Sequence, residues 1–260
     1  MLTLDVAGGL SAAGTIRISA VDIDIQQAFG DSDDLTTITA RGNGSIGVGD
    51  ATGARTISGA ELGRVTASTL ELVTTGSGAI TVNGVAEGQS ANVGLLKLTT
   101  AALGGNVVFS GGASTFNRLT VSAGSTLDVD AAIAVDTGSM SLTGTTGIEL
   151  GANLTAANND VLLASATTLT GGVTVNAGSG AVTFSSTVSG RQALSVTGGD
   201  ISFSGVVGTS VDAPATLSSL TVSGTVVDLG SVFVDGGANV TGTTRVDLNG
   251  TTYDSTTAGF

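Results

Sequence analysis

Short strings alternating an apolar residue, a small polar residue and a second apolar residue run through nearly the whole chain. Ile80-Thr81-Val82, Val173-Thr174-Val175, Val182-Thr183-Phe184, Leu194-Ser195-Val196, Ile201-Ser202-Phe203 and Leu220-Thr221-Val222 all follow this pattern. A period of two puts Ile, Val, Leu and Phe on one face of a strand and Ser or Thr on the other. The strings recur about every 8–12 residues, the spacing of an all-β sandwich, barrel or solenoid. Between them stand Gly-Gly and Gly-Ser pairs such as Gly104-Gly105, Gly111-Gly112, Gly171-Gly172 and Gly198-Gly199. Such pairs allow the positive φ that tight corners need.

Short phrases also return about 100 residues apart, so that 76–130 is echoed by 178–230. Gly76-Ser77-Gly78-Ala79-Ile80-Thr81-Val82 returns as Gly178-Ser179-Gly180-Ala181-Val182-Thr183-Phe184. Arg118-Leu119-Thr120-Val121-Ser122 returns as Ser219-Leu220-Thr221-Val222-Ser223. The second copy is lengthened around Gly208-Thr209-Ser210-Val211-Asp212-Ala213-Pro214, and insertions confined to loops are normal for repeat architectures. This period permits tandem immunoglobulin-like β-sandwiches or a β-solenoid whose coils form a higher-order repeat.

Three features favour a single all-β solenoid over residues 1–260. The strand rhythm crosses every candidate boundary without a Pro-rich or charged linker. Aromatics make up only 3% of residues, too few for the thick core of a sandwich. The glycine pairs mark corners. Coils of about 20 residues predict about 13 coils and a rod of roughly 60 Å. Helix is nearly absent from this reading, except that the least strand-like stretch, Val85 to Ala102, has room for a short helical turn. The Val85–Leu103 and Gly208–Thr216 loops are those expected to carry specific contacts, since loops vary while coils must stack.

Composition narrows the chemistry. The net charge is −13, with one lysine (Lys97) and seven scattered arginines, so the clustered cations that bind nucleic acid are missing. With no cysteine, disulfide staples and thiolate metal sites are excluded. A mean hydropathy of +0.43 with 11% charged residues argues for a folded chain. No apolar run approaches the length of a membrane span. The opening Met1-Leu2-Thr3-Leu4-Asp5-Val6 has neither the basic nor the apolar region of a signal peptide.

Candidate sites are few. Asp22 with Asp24, and Asp128 with Asp130, are spaced two apart, so each pair shares a strand face. Paired carboxylates serve acid–base work in β-helical polysaccharide hydrolases. Here, without histidine and with each aspartate holding the polar slot of the alternation, they read as a solvated face. Asp31, Asp33 and Asp34 supply the hard oxygens that calcium takes, but no calcium-loop pattern surrounds them, and a polar loop is the preferred reading. Gly42-Asn43-Gly44 and Gly76-Ser77-Gly78 lack a following P-loop lysine and read as turns. Thr168, Thr170 and Thr174 suggest a threonine row, without the regularity of an ice-binding face. No catalytic, cofactor-binding or metal-binding residue is assigned, and no cofactor is expected.

The phrases Gly44-Ser45-Ile46-Gly47-Val48-Gly49-Asp50, Ile57-Ser58-Gly59-Ala60-Glu61-Leu62-Gly63-Arg64-Val65 and Leu70-Glu71-Leu72, followed by Gly78-Ala79-Ile80-Thr81-Val82, look familiar. With Ile201-Ser202-Phe203-Ser204-Gly205 and Leu217-Ser218-Ser219-Leu220-Thr221-Val222, they resemble the repeat regions of very large bacterial surface exoproteins. Those proteins are of the filamentous-haemagglutinin-like and autotransporter-adhesin kind, and the resemblance runs from about Gly44 to Tyr253. It implies a right-handed parallel β-helix outside a Gram-negative-type cell, serving as an adhesive or spacer stalk. The sequence lacks the family's export signal, amino-terminal secretion domain and outer-membrane barrel, as expected of a fragment of a longer polypeptide.

The expected function is therefore a non-enzymatic structural or adhesive segment. Its partners would be neighbouring repeats of the same polypeptide, host-cell or matrix glycans or proteins, and its own copies through end-to-end association. Nucleic acid and membrane insertion are not expected. A β-helical carbohydrate-active enzyme, such as a tailspike-like depolymerase or lyase, is the alternative.

Overall fold

The computed structural model describes residues 2–4, 14–20, 22–101, 104–209 and 216–255. The glycine pair Gly8-Gly9, Leu103 and the insertion from Ser210 to Ala215, including Pro214, lie outside the described residues. Every strand pairing among the described residues is parallel. That excludes the sandwich alternative, whose sheets are antiparallel. The fold is a parallel β-helix.

Three ladders form its faces. The first runs from Thr15–Ala20 through Phe29–Ala40, Val65–Thr74, Val93–Thr100, Leu119–Ala123, Met140–Gly144, Val161–Leu163, Val182–Phe184 and Asp200–Phe203. It ends in the second halves of Ser219–Leu229 and Ala238–Leu248. The second runs from Ile46–Gly49 through Ile80–Asn83, Val107–Phe109, Thr126–Val129, Gly147–Leu150 and Thr167–Leu169 to Val188–Ser189. Val207 carries it on by single bridges to Val188 and Val232, and Val232–Val234 then pairs with Tyr253–Ser255. The third begins at Ser114–Phe116 and joins the first where Ser219–Leu229 turns the corner without a break.

The alternation determines what lies inside. On the first ladder one inward row reads Ile16, Thr36, Leu70, Leu96, Leu119, Met140, Val161, Val182, Ile201, Val227 and Val246. The row beside it ends Leu142, Leu163, Phe184, Phe203, Leu229 and Leu248. Identical or near-identical side chains thus stack coil upon coil. Phe184 and Phe203 lie face to face with centroids 4.7 Å apart and planes 4° from parallel, the separation that ladder spacing dictates.

Eleven strand positions, not 13, make up the first ladder, so its axis is about 48 Å long rather than 60 Å. Most of the shortfall lies in the early coils, where the register advances 34 residues from Thr36 to Leu70 and 26 from Leu70 to Leu96. From Leu119 to Val182 each advance is 21 residues. The phrases repeated about 100 residues apart fall on different faces: Ile80–Asn83 lies in the second ladder, and Val182–Phe184 in the first. Their common wording follows from the inside–outside grammar that all three faces obey.

The early coils spend their extra residues on two helical turns, Gly59–Leu62 and Glu87–Ser90. The first has a capping box: Glu61 N donates to Ser58 Oγ, while Ser58 N donates to Glu61 Oε2 at 2.8 Å. A Cβ on Gly59 would stand 2.2 Å from the Gln89 side chain, so the two turns stack closely. Ser90 Oγ then donates to Thr115 O at 2.8 Å, seating the second turn under the first strand of the third ladder. The Val85–Leu103 stretch is therefore no free loop. It holds this turn and the strand Val93–Thr100, whose Leu96 and Leu98 are buried.

Corner side chains stitch coil to coil. Asn153 Oδ1 accepts from Thr174 N, Asn158 Oδ1 from Ser179 N and Asp160 Oδ1 from Ala181 N, each 21 residues later. Asn158 is the one non-glycine among the described residues with positive φ, at 61°, a conformation asparagine tolerates. At Gly208, φ is +77° and a Cβ would fall 2.1 Å from Phe233 O, so only glycine passes this corner.

Candidate functional site: an acidic strip on the second ladder

The outward row of the second ladder reads Gly47, Thr81, Val108, Asp128, Glu149, Thr168 and Ser189. Asp128 and Glu149 are direct ladder neighbours, about 4.8 Å apart at the backbone. Asp130 follows two residues after Asp128 and is exposed. The Asp128 carboxyl is pushed above its ordinary value of 3.8, first by partial burial and then by the charges of Asp130 and Glu149. The strip can therefore hold a proton more firmly than a lone surface aspartate. Its ladder neighbours, Val108 and Thr168, supply neither a cation nor a ring to grip a sugar.

Reading the sequence found Asp128 and Asp130 but missed Glu149. The 21-residue coil is the signal that would have found it, since Glu149 lies one coil beyond Asp128. Asp22 and Asp24 flank Ile23 with their side chains half-exposed, and Asp22 Oδ1 accepts from Ile23 N at 3.0 Å. Asp24 accepts from Gln26 Nε2 at 2.8 Å. Asp24 stands on the polar side of the strand Ile23–Ile25, and Asp22 immediately precedes that strand.

Asp31, Asp33 and Asp34 do not come together. They occupy an irregularity of Phe29–Ala40, where the register against Val65–Thr74 shifts between Asp31 and Leu35. Asp31 and Asp33 are exposed, and Asp31 Oδ1 accepts from Asp33 N and Ser32 Oγ. Asp34 instead turns inward and is fully buried, its Oδ1 accepting from Gly14 N at 2.8 Å while Oδ2 has no partner. Among the described residues no three acidic, cysteine or histidine side chains converge as metal ligands would.

The threonines act singly. Thr168 faces outward near Ser189, with 3.4 Å between the hydroxyl oxygens. Thr167 is buried and donates to Ser165 O. No helix among the described residues is long and apolar enough to cross a membrane. Comparison of the sequence with protein-family models and curated proteins, and of the fold with solved structures, finds no match to any of them.

Proposed function

We propose that this chain is a non-enzymatic structural or adhesive segment of a bacterial cell-surface or secreted exoprotein. It forms part of a stalk and presents binding surfaces on its corners. The observation supporting this reading is the unbroken first ladder from Thr15–Ala20 to Ala238–Leu248, which carries short polar side chains outward over many coils. From Thr120 to Ser202 its central outward row is Thr120, Ser141, Leu162, Thr183 and Ser202, uncharged throughout and short and polar at every position but Leu162, a surface suited to spacing. Contacts with host-cell or matrix glycans or proteins would fall on the Gly208–Thr216 insertion. There the register advances 26 residues from Ile201 to Val227, against 19 in the coil before and the coil after. The setting is extracellular, with neighbouring repeats of the same polypeptide as partners.

The Asp128–Glu149 pair favours one second reading, a β-helical carbohydrate-active enzyme using adjacent carboxylates. Turnover assays on pectin, alginate and capsule-type glycans separate the two. The structural reading expects no cleavage and unchanged binding in Asp128→Ala and Asp130→Ala. Cleavage that disappears in Asp128→Ala would establish the enzyme instead.

A further inference from the structure

The chain contains three Asn-Gly pairs, Asn43-Gly44, Asn83-Gly84 and Asn249-Gly250, each where a strand gives way to a corner. An asparagine before glycine is open to attack by its own backbone, because glycine has no side chain to screen its main-chain nitrogen. The fold ties down two of the pairs. Asn83 Oδ1 accepts from Gly112 N at 2.7 Å, and Gly84 N donates to Gly112 O at 3.0 Å, so both reacting groups are bound to the next coil. Asn249 Nδ2 donates to Asp228 Oδ1 at 2.6 Å, and Gly250 N donates to Tyr253 Oη at 2.6 Å. At either site, bringing the glycine nitrogen onto the amide carbon breaks both of these bonds.

The third pair differs. Asn43 is exposed, and its side chain makes no hydrogen bond among the described residues. Its amide oxygen rests against Gly76, where a Cβ would fall 2.0 Å away. Gly44 N donates only within the turn, to Gly42 O, and not to a neighbouring coil. Gly42 has φ +60°, and a Cβ there would meet nothing within 4 Å, so this flank of the turn is unpacked.

We propose that Asn43 is a self-modification site, at which the chain converts its own asparagine to aspartate and isoaspartate while the fold holds Asn83 and Asn249 back. Gly44 N loses its proton to water and attacks Asn43 Cγ. The new C–N bond closes a five-membered succinimide as the Cγ–Nδ2 bond breaks, and Nδ2 leaves as ammonia after taking a proton from water. Water then adds to one of the two ring carbonyls. Opening at Cγ gives aspartate, and opening at the main-chain carbonyl gives isoaspartate. Each event adds one negative charge to a chain already at −13. The isoaspartate branch also lengthens the main chain by one methylene at the corner leading into Ile46–Gly49.

Tryptic mapping by mass spectrometry tests this, because cleavage after Arg41, Arg55, Arg64, Lys97 and Arg245 puts the three pairs on separate peptides, 42–55, 65–97 and 246–260. The chain is incubated in mildly alkaline buffer with and without urea, and circular dichroism confirms that the urea-free sample stays folded. In the folded chain, 42–55 should convert about tenfold or more faster than the other two, which react only through local opening. In urea the coil-to-coil bonds are gone and the three rates should converge. Asn43→Gln should abolish the conversion of 42–55 and the matching acidic form on ion exchange. Equal rates at the three pairs in the folded chain, or an Asn43 slowed by folding as strongly as Asn83, would overturn the proposal.

Discussion

Asp128 shows how a ladder turns an ordinary surface residue into a strained one. Alternation sends its side chain outward, and the coil sets Glu149 beside it. Partial burial then adds to the repulsion from Asp130 and Glu149 and raises its carboxyl above 3.8. The folded chain therefore binds this proton more tightly than the unfolded chain does. Stability falls as pH rises through the window above 3.8, and the penalty is absent below it. Asp128→Asn should accordingly raise the thermal midpoint at about pH 7 and leave it unchanged near pH 3. Because the side chain is partly solvated, the gain is discounted to a few tenths of a kcal/mol and shrinks in high salt. Thermal melts at the two pH values check it. A loss of stability at neutral pH would mean that the carboxylate is held by a favourable partner.

Among the elements, the helical turn Gly59–Leu62 terminates strand pairing as well as filling a corner. Ile25 donates its N–H to Glu61 Oε1 at 3.1 Å, and its carbonyl accepts from Arg64 Nη1 at 2.7 Å. Two side chains thus replace the strand that would otherwise satisfy both groups. Glu61 can do so because the capping box with Ser58 holds its other oxygen. Ser58→Ala should cost about 1 kcal/mol. Glu61→Ala should speed hydrogen exchange at the Ile25 amide specifically, leaving amides of the later coils such as Val182 protected. Uniform loss of protection would indicate a global rather than local role. The sequence reading made no use of the Ser58-x-x-Glu61 spacing, although it is a capping signal. The role of Arg64 was not legible, because its acceptor lies 39 residues away.

For the whole molecule, eleven stacked strand positions give an axis of about 48 Å. At that length the radius of gyration of one chain lies near the roughly 18 Å of a globule of the same length, so single-chain size says little.

The alternation of residues such as Val182-Thr183-Phe184 was enough, without a structure, to specify strands with one apolar and one polar face. The glycine corners and the scarcity of aromatics were enough to favour a solenoid over a sandwich. These are local properties, written in neighbouring residues by side-chain period and backbone freedom. Which strand sits on which was not legible. Register depends on how many residues each corner takes, and that number varies from coil to coil. Only the tertiary structure could therefore put Glu149 beside Asp128, stack Phe184 on Phe203 and turn Asp34 inward. All three follow from the register between coils, and register is a relation between residues about 20 or more apart that no short window of sequence contains.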